Sequence, residues 1–134
     1  KVVVMDGQVG RMGSACMYKW IKSGGDRKEL IAVGTNAMAT SAMMKAGAVK
    51  AATGENPVVV NTSGADFVVG PIGIIATDAL LGEITPKMAQ AVASCTAQKV
   101  LLPVNTCMFH VVGVSDNRLS DNIDEAISYI LQNK

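Results

Sequence analysis

Val2-Val3-Val4-Met5-Asp6-Gly7-Gln8-Val9-Gly10-Arg11-Met12-Gly13 stands at the start of the chain, and the reading of this stretch decides the fold. Four apolar residues in a row have the pattern of a strand covered on both faces, and a helical pattern begins just after the glycines. A strand that ends in a glycine-spaced turn and feeds a helix gathers unpaired backbone N–H groups and the positive end of a helix dipole at one point. Such a point suits an anion. The stretch therefore reads as the opening of a nucleotide-binding βαβ unit, with Gly7, Gln8, Gly10, Arg11, Met12 and Gly13 as candidate ligand contacts.

Further along, the same alternation recurs. Residues 11–22 place Met12, Cys16, Trp20 and Ile21 at helical spacing, and Ser23-Gly24-Gly25 stops that helix. Leu30 to Val33 is a second buried strand, and Asn36 to Ala46 is a helix capped by Thr35 or Asn36. A short strand is expected at Ala48 to Ala52. A crossover helix follows within 53–65, with Asn56 as cap and Pro57 at its first position.

Asp66 to Gly70 is the fourth strand, Thr85-Pro86 opens a helix to about Cys95, and Lys99 to Leu102 is the fifth strand. The break at Asn105-Thr106 is too short for a crossover helix, so Met108 to Val114 is expected to be an antiparallel sixth strand. Ser120 caps a last helix with Leu119, Ile123, Ile127, Ile130 and Leu131 on one stripe. The expected fold is a single α/β domain over residues 1–134, a Rossmann-like three-layer sandwich on a mostly parallel sheet of about six strands with an antiparallel edge strand.

Right-handed crossovers bring the strand C-terminal ends to one rim. Loops 6–13, 34–36 and 70–85 meet there, which adds Thr35, Asn36, Gly70, Pro71 and Glu83 to the candidate site, and Asn105 at the end of the fifth strand joins them. A carboxylate on a rim loop can act as a general base or clamp a ribose, or it can simply favour a helix N-terminus. Glu83, just ahead of the Thr85 cap, fits either role.

Composition removes other classes. Twelve basic and eleven acidic residues spread along 134 positions form no basic stripe, and aromatic residues make up 4%, so a nucleic-acid partner is not expected. No apolar segment is long enough to span a bilayer, and the chain starts directly on a strand, so a cytoplasmic protein is expected. Cys16, Cys95 and Cys107 are far apart and in no metal-binding spacing. With one histidine, His110, they suggest reduced structural thiols and no metal site.

The glycine loop resembles that of dihydrodipicolinate reductase, and the resemblance implies that Gly7, Gly10, Arg11, Met12 and Gly13 contact the pyrophosphate of a nicotinamide dinucleotide. Asp6 departs from that family's small neutral residue and opposes a phosphate unless it is bonded to loop N–H groups. The acid that grips the ribose of NAD is absent, since Val33-Gly34-Thr35-Asn36 stands at its place. Arg11, Thr35 and Asn36 suit a 2′-phosphate, so NADP is expected over NAD.

Over its whole length the chain resembles a family of short bacterial proteins known only as a domain of unknown function. Val4 to Gln8, Gly34 to Ala37, Ala52 to Asn56, Gly70 to Ile74, Leu81 to Pro86 and Leu102 to Asn105 carry the likeness. It implies a fold and no reaction. Three functions remain open: a nucleotide-binding sensor or accessory module, a small oxidoreductase completed across a homodimer, and an interaction scaffold whose glycines are structural. The apolar run Pro71 to Gly82 is too greasy for a solvent-facing loop, so a homodimer that buries it is expected.

Overall fold

The computed structural model describes residues 1–104 and 109–134. The elements run β1 (Val2–Asp6), α1 (Arg11–Lys22), β2 (Leu30–Gly34), α2 (Ala37–Lys45), β3 (Ala51–Thr53), α3 (Glu55–Thr62), β4 (Phe67–Pro71), α4 (Pro86–Ser94), β5 (Gln98–Leu102) and α5 (Leu119–Asn133). Each strand before the last returns through a helix, as parallel pairing demands. The sheet is parallel throughout, in the order β3-β2-β1-β4-β5.

β1 is central, and all five of its residues are buried. Its side chains alternate between two cores because successive residues point to opposite faces. Val2 and Val4 pack with Met12, Cys16, Trp20, Met43, Ile127 and Ile130 under α1, α2 and α5. Val3 and Met5 pack with Val58, Ile74, Met88 and Val92 under α3 and α4. The result is the Rossmann-like α/β sandwich that the alternation of elements implies.

Four details differ from expectation. Residues 109–114 form no strand, and Met108 lies outside the described residues, so among the described residues the sheet has five strands and no antiparallel edge. A strand persists where one face can be buried, whereas His110, Val112 and Val114 all stand in solvent. α3 starts at Glu55 with Gly54 in the cap position, which puts Pro57 third in the helix. The N–H that proline lacks has no intrahelical partner there either, so the ring is tolerated without opening the helix. Finally, β3 falls on Ala51–Thr53, and α5 begins at Leu119 ahead of the expected Ser120 cap.

The segment between β4 and α4 winds the wrong way for L-residues. Leu80, Leu81 and Gly82 lie in succession at φ 57°, 58° and 89°, after Asp78 at 68°. Left-handed backbone costs roughly 1–2 kcal/mol per non-glycine residue. The turn is held by Gly82 N–H on Asp78 O at 3.0 Å, Ile84 N–H on Ala79 O at 3.1 Å and Asp78 N–H on Ile84 O at 2.7 Å. Ile74, Ala79, Leu80 and Ile84 anchor it in the core. Much of the apolar content of this run is thus covered within one chain. Leu81 is the exception, at 96% exposure.

Candidate functional site

Chain order and strand order part company between β1 and β4. From β1 the chain steps outward to β2 and β3, then returns to the other side of β1 as β4 and continues to β5. Helices leave the neighbouring strands on opposite faces at such a switch point, and a crevice opens at the strand C-terminal ends. A cleft of about 270 Å³ lies there. Asp6 to Met12 form one wall, Pro71 and Leu80 the other, and Val104 and Leu119 close it. A larger hollow of about 650 Å³ between β5 and α5 runs along residues that flank the undescribed stretch 105–108 and touches loop 70–85 at Ile72.

Two carboxylates organise the rim. Asp6, the last residue of β1, is buried and turns back on the loop that follows it. Its Oδ1 accepts from Gly7 N–H at 2.8 Å and its Oδ2 from Gly13 N–H at 2.7 Å. The opening of α1 therefore holds an anion from its own chain. Burial pushes the Asp6 pKa above its ordinary value, against the downward pull of N–H groups of Gly13, Gly7 and Met12, and the Glu83 charge adds to the rise.

Glu83 is carried in by the left-handed turn. Its Oε1 accepts from Gln8 N–H at 2.9 Å, from Thr35 Oγ1 at 2.5 Å and from Asn36 Nδ2 at 2.8 Å. Asn36 ties the group further, since Nδ2 also reaches Gln8 O at 3.0 Å while Oδ1 caps α2 through Ala39 N–H at 2.9 Å. Partial burial works to raise the Glu83 pKa, but the bonds from Thr35, Gln8 and Asn36 outweigh it and hold the pKa below the ordinary value. The Glu83 carboxylate is bonded to the loops before α1 and α2 and not to α4. The α4 N-terminus is capped by Thr85, whose Oγ1 accepts from Met88 N–H at 3.1 Å and donates to Glu55 Oε2 at 2.6 Å.

The glycines have packing reasons of their own. Gly10 sits at φ 76°, and a Cβ on it would come within 2.9 Å of the Ala39 backbone at the start of α2. A Cβ on Gly13 would lie 2.5 Å from Met43 Sδ and 2.9 Å from Asp6 Cβ. The glycine spacing thus lets α1 sit against α2 and β1, whatever else it does.

Most of the sequence candidates converge. Gly7, Gln8, Gly10, Arg11 and Met12 line the cleft with Pro71, and Gly13 lies behind them on α1. Thr35, Asn36 and Glu83 form one cluster against Gln8. Gly70 lies in β4, one residue before its end, with no room for a side chain, because a Cβ there would strike Met5 O. Asn105 lies outside the described residues, as does Cys107. Leu80, Val104 and Leu119 line the cleft without having been singled out from the sequence, where each reads only as an apolar residue of its own segment. Glu83 reaches the glycine loop of its own chain, so no partner subunit is needed to bring it there.

Other chemistry is sparse. Among the described residues no group of three or more His, Cys, Asp and Glu could hold a metal ion. Cys16 is buried and its thiol pKa is pushed up to about 12 by desolvation and by Asp6, which makes it inert at neutral pH. No described helix is long and apolar enough to cross a membrane. No curated protein and no solved structure matches the chain. A family model does match, over residues 1–134, and the chain belongs to that family, the domain of unknown function DUF3842.

Proposed function

We propose that this chain is a small-molecule-binding domain that takes a nucleotide-type ligand at the switch-point cleft and serves as a sensor or accessory module. The observation that carries this reading is the position of the cleft, where β1 and β4 part and the glycine turn forms a wall. Its size bears on the ligand. Sites for drug-sized molecules span about 300–1,000 Å³, so a volume of about 270 Å³ suits one nucleotide moiety better than a whole enclosed dinucleotide.

The mode of phosphate binding differs from that expected of the glycine loop. Gly7 and Gly13 N–H groups are bonded to Asp6, so a phosphate meets the loop tip and the Arg11 side chain at the cleft mouth. A catalytic constellation does not support the oxidoreductase alternative: the two carboxylates nearest the cleft are both engaged with backbone and side-chain donors. The scaffold reading draws on the packing of Gly10 and Gly13.

A thermal-shift series with nucleoside mono-, di- and triphosphates separates these readings. A ligand at a hundred times its dissociation constant adds about 2.7 kcal/mol, a shift of several degrees for a domain of this size. No shift with any of them, at millimolar concentration, leaves the scaffold reading standing.

A two-fold dimer also belongs to this proposal, now resting on Leu81 alone. Leu81→Glu is expected to turn it into a species near 13.9 kDa in size-exclusion light scattering. A wild-type protein already of that mass removes the dimer.

A further inference from the structure

We propose that Glu83 is a diol clamp, which selects a ribonucleoside with free 2′- and 3′-hydroxyls; this rests on the nucleotide reading above. In doubly wound folds the ribose hydroxyls are gripped by an acid at the end of the second strand. This chain has Thr35 and Asn36 there instead, and no acid among its immediate neighbours in sequence. The tertiary structure supplies one from the loop between β4 and α4, because Glu83 Oε1 is bonded to both of those residues and to Gln8 N–H.

The geometry leaves one oxygen for a ligand. All three bonds fall on Oε1, while Oε2 has no hydrogen-bond partner among the described residues. No buried side-chain oxygen or nitrogen among them lacks a partner, so Oε2 reaches solvent. A carboxylate fixed by one oxygen and open at the other is an acceptor in a set orientation. Vicinal hydroxyls offer the two donors that such an acceptor takes.

The surroundings suit the rest of a nucleoside. Val9 adjoins Gln8, Met38 is two residues past Asn36 and Leu81 is two residues before Glu83, and they are 58%, 62% and 96% exposed. Of these Val9 lines the cleft, as does Arg11, and Gln8 links the clamp to it. The left-handed backbone at Leu80 and Leu81 is a cost that the fold sustains at the place where Glu83 is delivered.

This assignment reverses the expected cofactor preference. A 2′-phosphate next to an ionised Glu83 is repelled, so NAD and AMP are favoured over NADP even with Arg11 nearby. Glu83→Gln keeps an oxygen for the three internal donors and replaces the free acceptor by an NH2 group, so it tests the clamp without dismantling its support.

Isothermal titration calorimetry with AMP, 2′-deoxy-AMP, NAD and NADP, on wild type and on E83Q, decides it. Wild type is expected to bind AMP over 2′-deoxy-AMP and NAD over NADP, each by roughly tenfold to a hundredfold, the worth of a hydrogen bond to a charged group. Both ratios should collapse towards one in E83Q. Wild type that binds NADP as tightly as NAD, or an AMP to 2′-deoxy-AMP ratio unchanged in E83Q, overturns the clamp and leaves the cleft reading intact. If none of the four binds the wild type, the nucleotide reading falls and takes the clamp with it.

Discussion

Asp6→Ala is expected to lower stability at neutral pH by about 2–4 kcal/mol and, unlike the wild type, to recover part of that loss when inorganic phosphate is added. The substitution removes the acceptor for Gly7 N–H and Gly13 N–H, which lie at 2.8 and 2.7 Å from the carboxylate. An unpartnered buried donor costs about 1–3 kcal/mol, and relief from burying the charge offsets only part of two such losses. The vacated spot is then a helix N-terminus open to the cleft, the arrangement that binds phosphate in other folds. Urea denaturation with and without phosphate measures both effects. A variant as stable as the wild type means the Asp6 bonds contribute little, and an unstable variant that ignores phosphate means that α1 does not act as an anion site even when freed.

The same variant has a pH signature. Burial raises the Asp6 pKa in the folded state above its value of 3.8, so between those two values the folded protein binds more protons than the unfolded chain. Stability contributed by Asp6 is then greatest below 3.8 and declines as pH rises through the folded pKa. The gap between wild type and Asp6→Ala is expected to narrow as pH rises through that window. Glu83 runs the other way: its lowered folded pKa gives stability that is present above its ordinary range and lost as pH falls through the folded value.

Gly13→Val is expected to cost about 2–3 kcal/mol, at the upper part of the range for overpacking a close-packed contact. A helical valine is intrinsically slightly better than glycine, so propensity alone predicts a small gain. Contact decides the sign, because the first added carbon already lies 2.5 Å from Met43 Sδ and 2.9 Å from Asp6 Cβ. Met43 can shift; Asp6 cannot without breaking its bond to Gly13 N–H. The expected readout is a melting temperature lower by roughly ten degrees or more for a domain of this length. An unchanged melting temperature would show that α1 can lift away from α2, and the packing reason for the glycine would fall.

Local pattern was enough for the frame. Apolar runs bounded by turns marked β1, β2, β4 and β5, and the inner strands β1 and β4 are buried along their whole length. Asn36 and Thr85-Pro86 marked the starts of α2 and α4 because a helix N-terminus needs an acceptor and tolerates proline. The rim position of loops 6–13, 34–36 and 70–85 followed from the handedness of the crossovers. Local pattern failed for residues 109–114, where the short break at Asn105-Thr106 suggested an antiparallel strand but all of these residues except the half-buried Val111 are exposed.

The sequence by itself determined a parallel α/β sandwich and the neighbourhood of its cleft, since both depend on residues close together in the chain. Only the tertiary structure decided what stands in that neighbourhood. Asp6 and Gly13 are seven residues apart, and their bond depends on α1 folding back over β1. Glu83 lies 75 residues from Gln8 and 48 from Thr35, and no spacing rule pairs them. Their meeting depends on β4 returning beside β1 and on a left-handed turn that sequence propensity disfavours at Leu80 and Leu81. Long-range packing pays that local cost, because Ala79, Leu80 and Ile84 are buried on one side of the turn while Glu83 fixes the other.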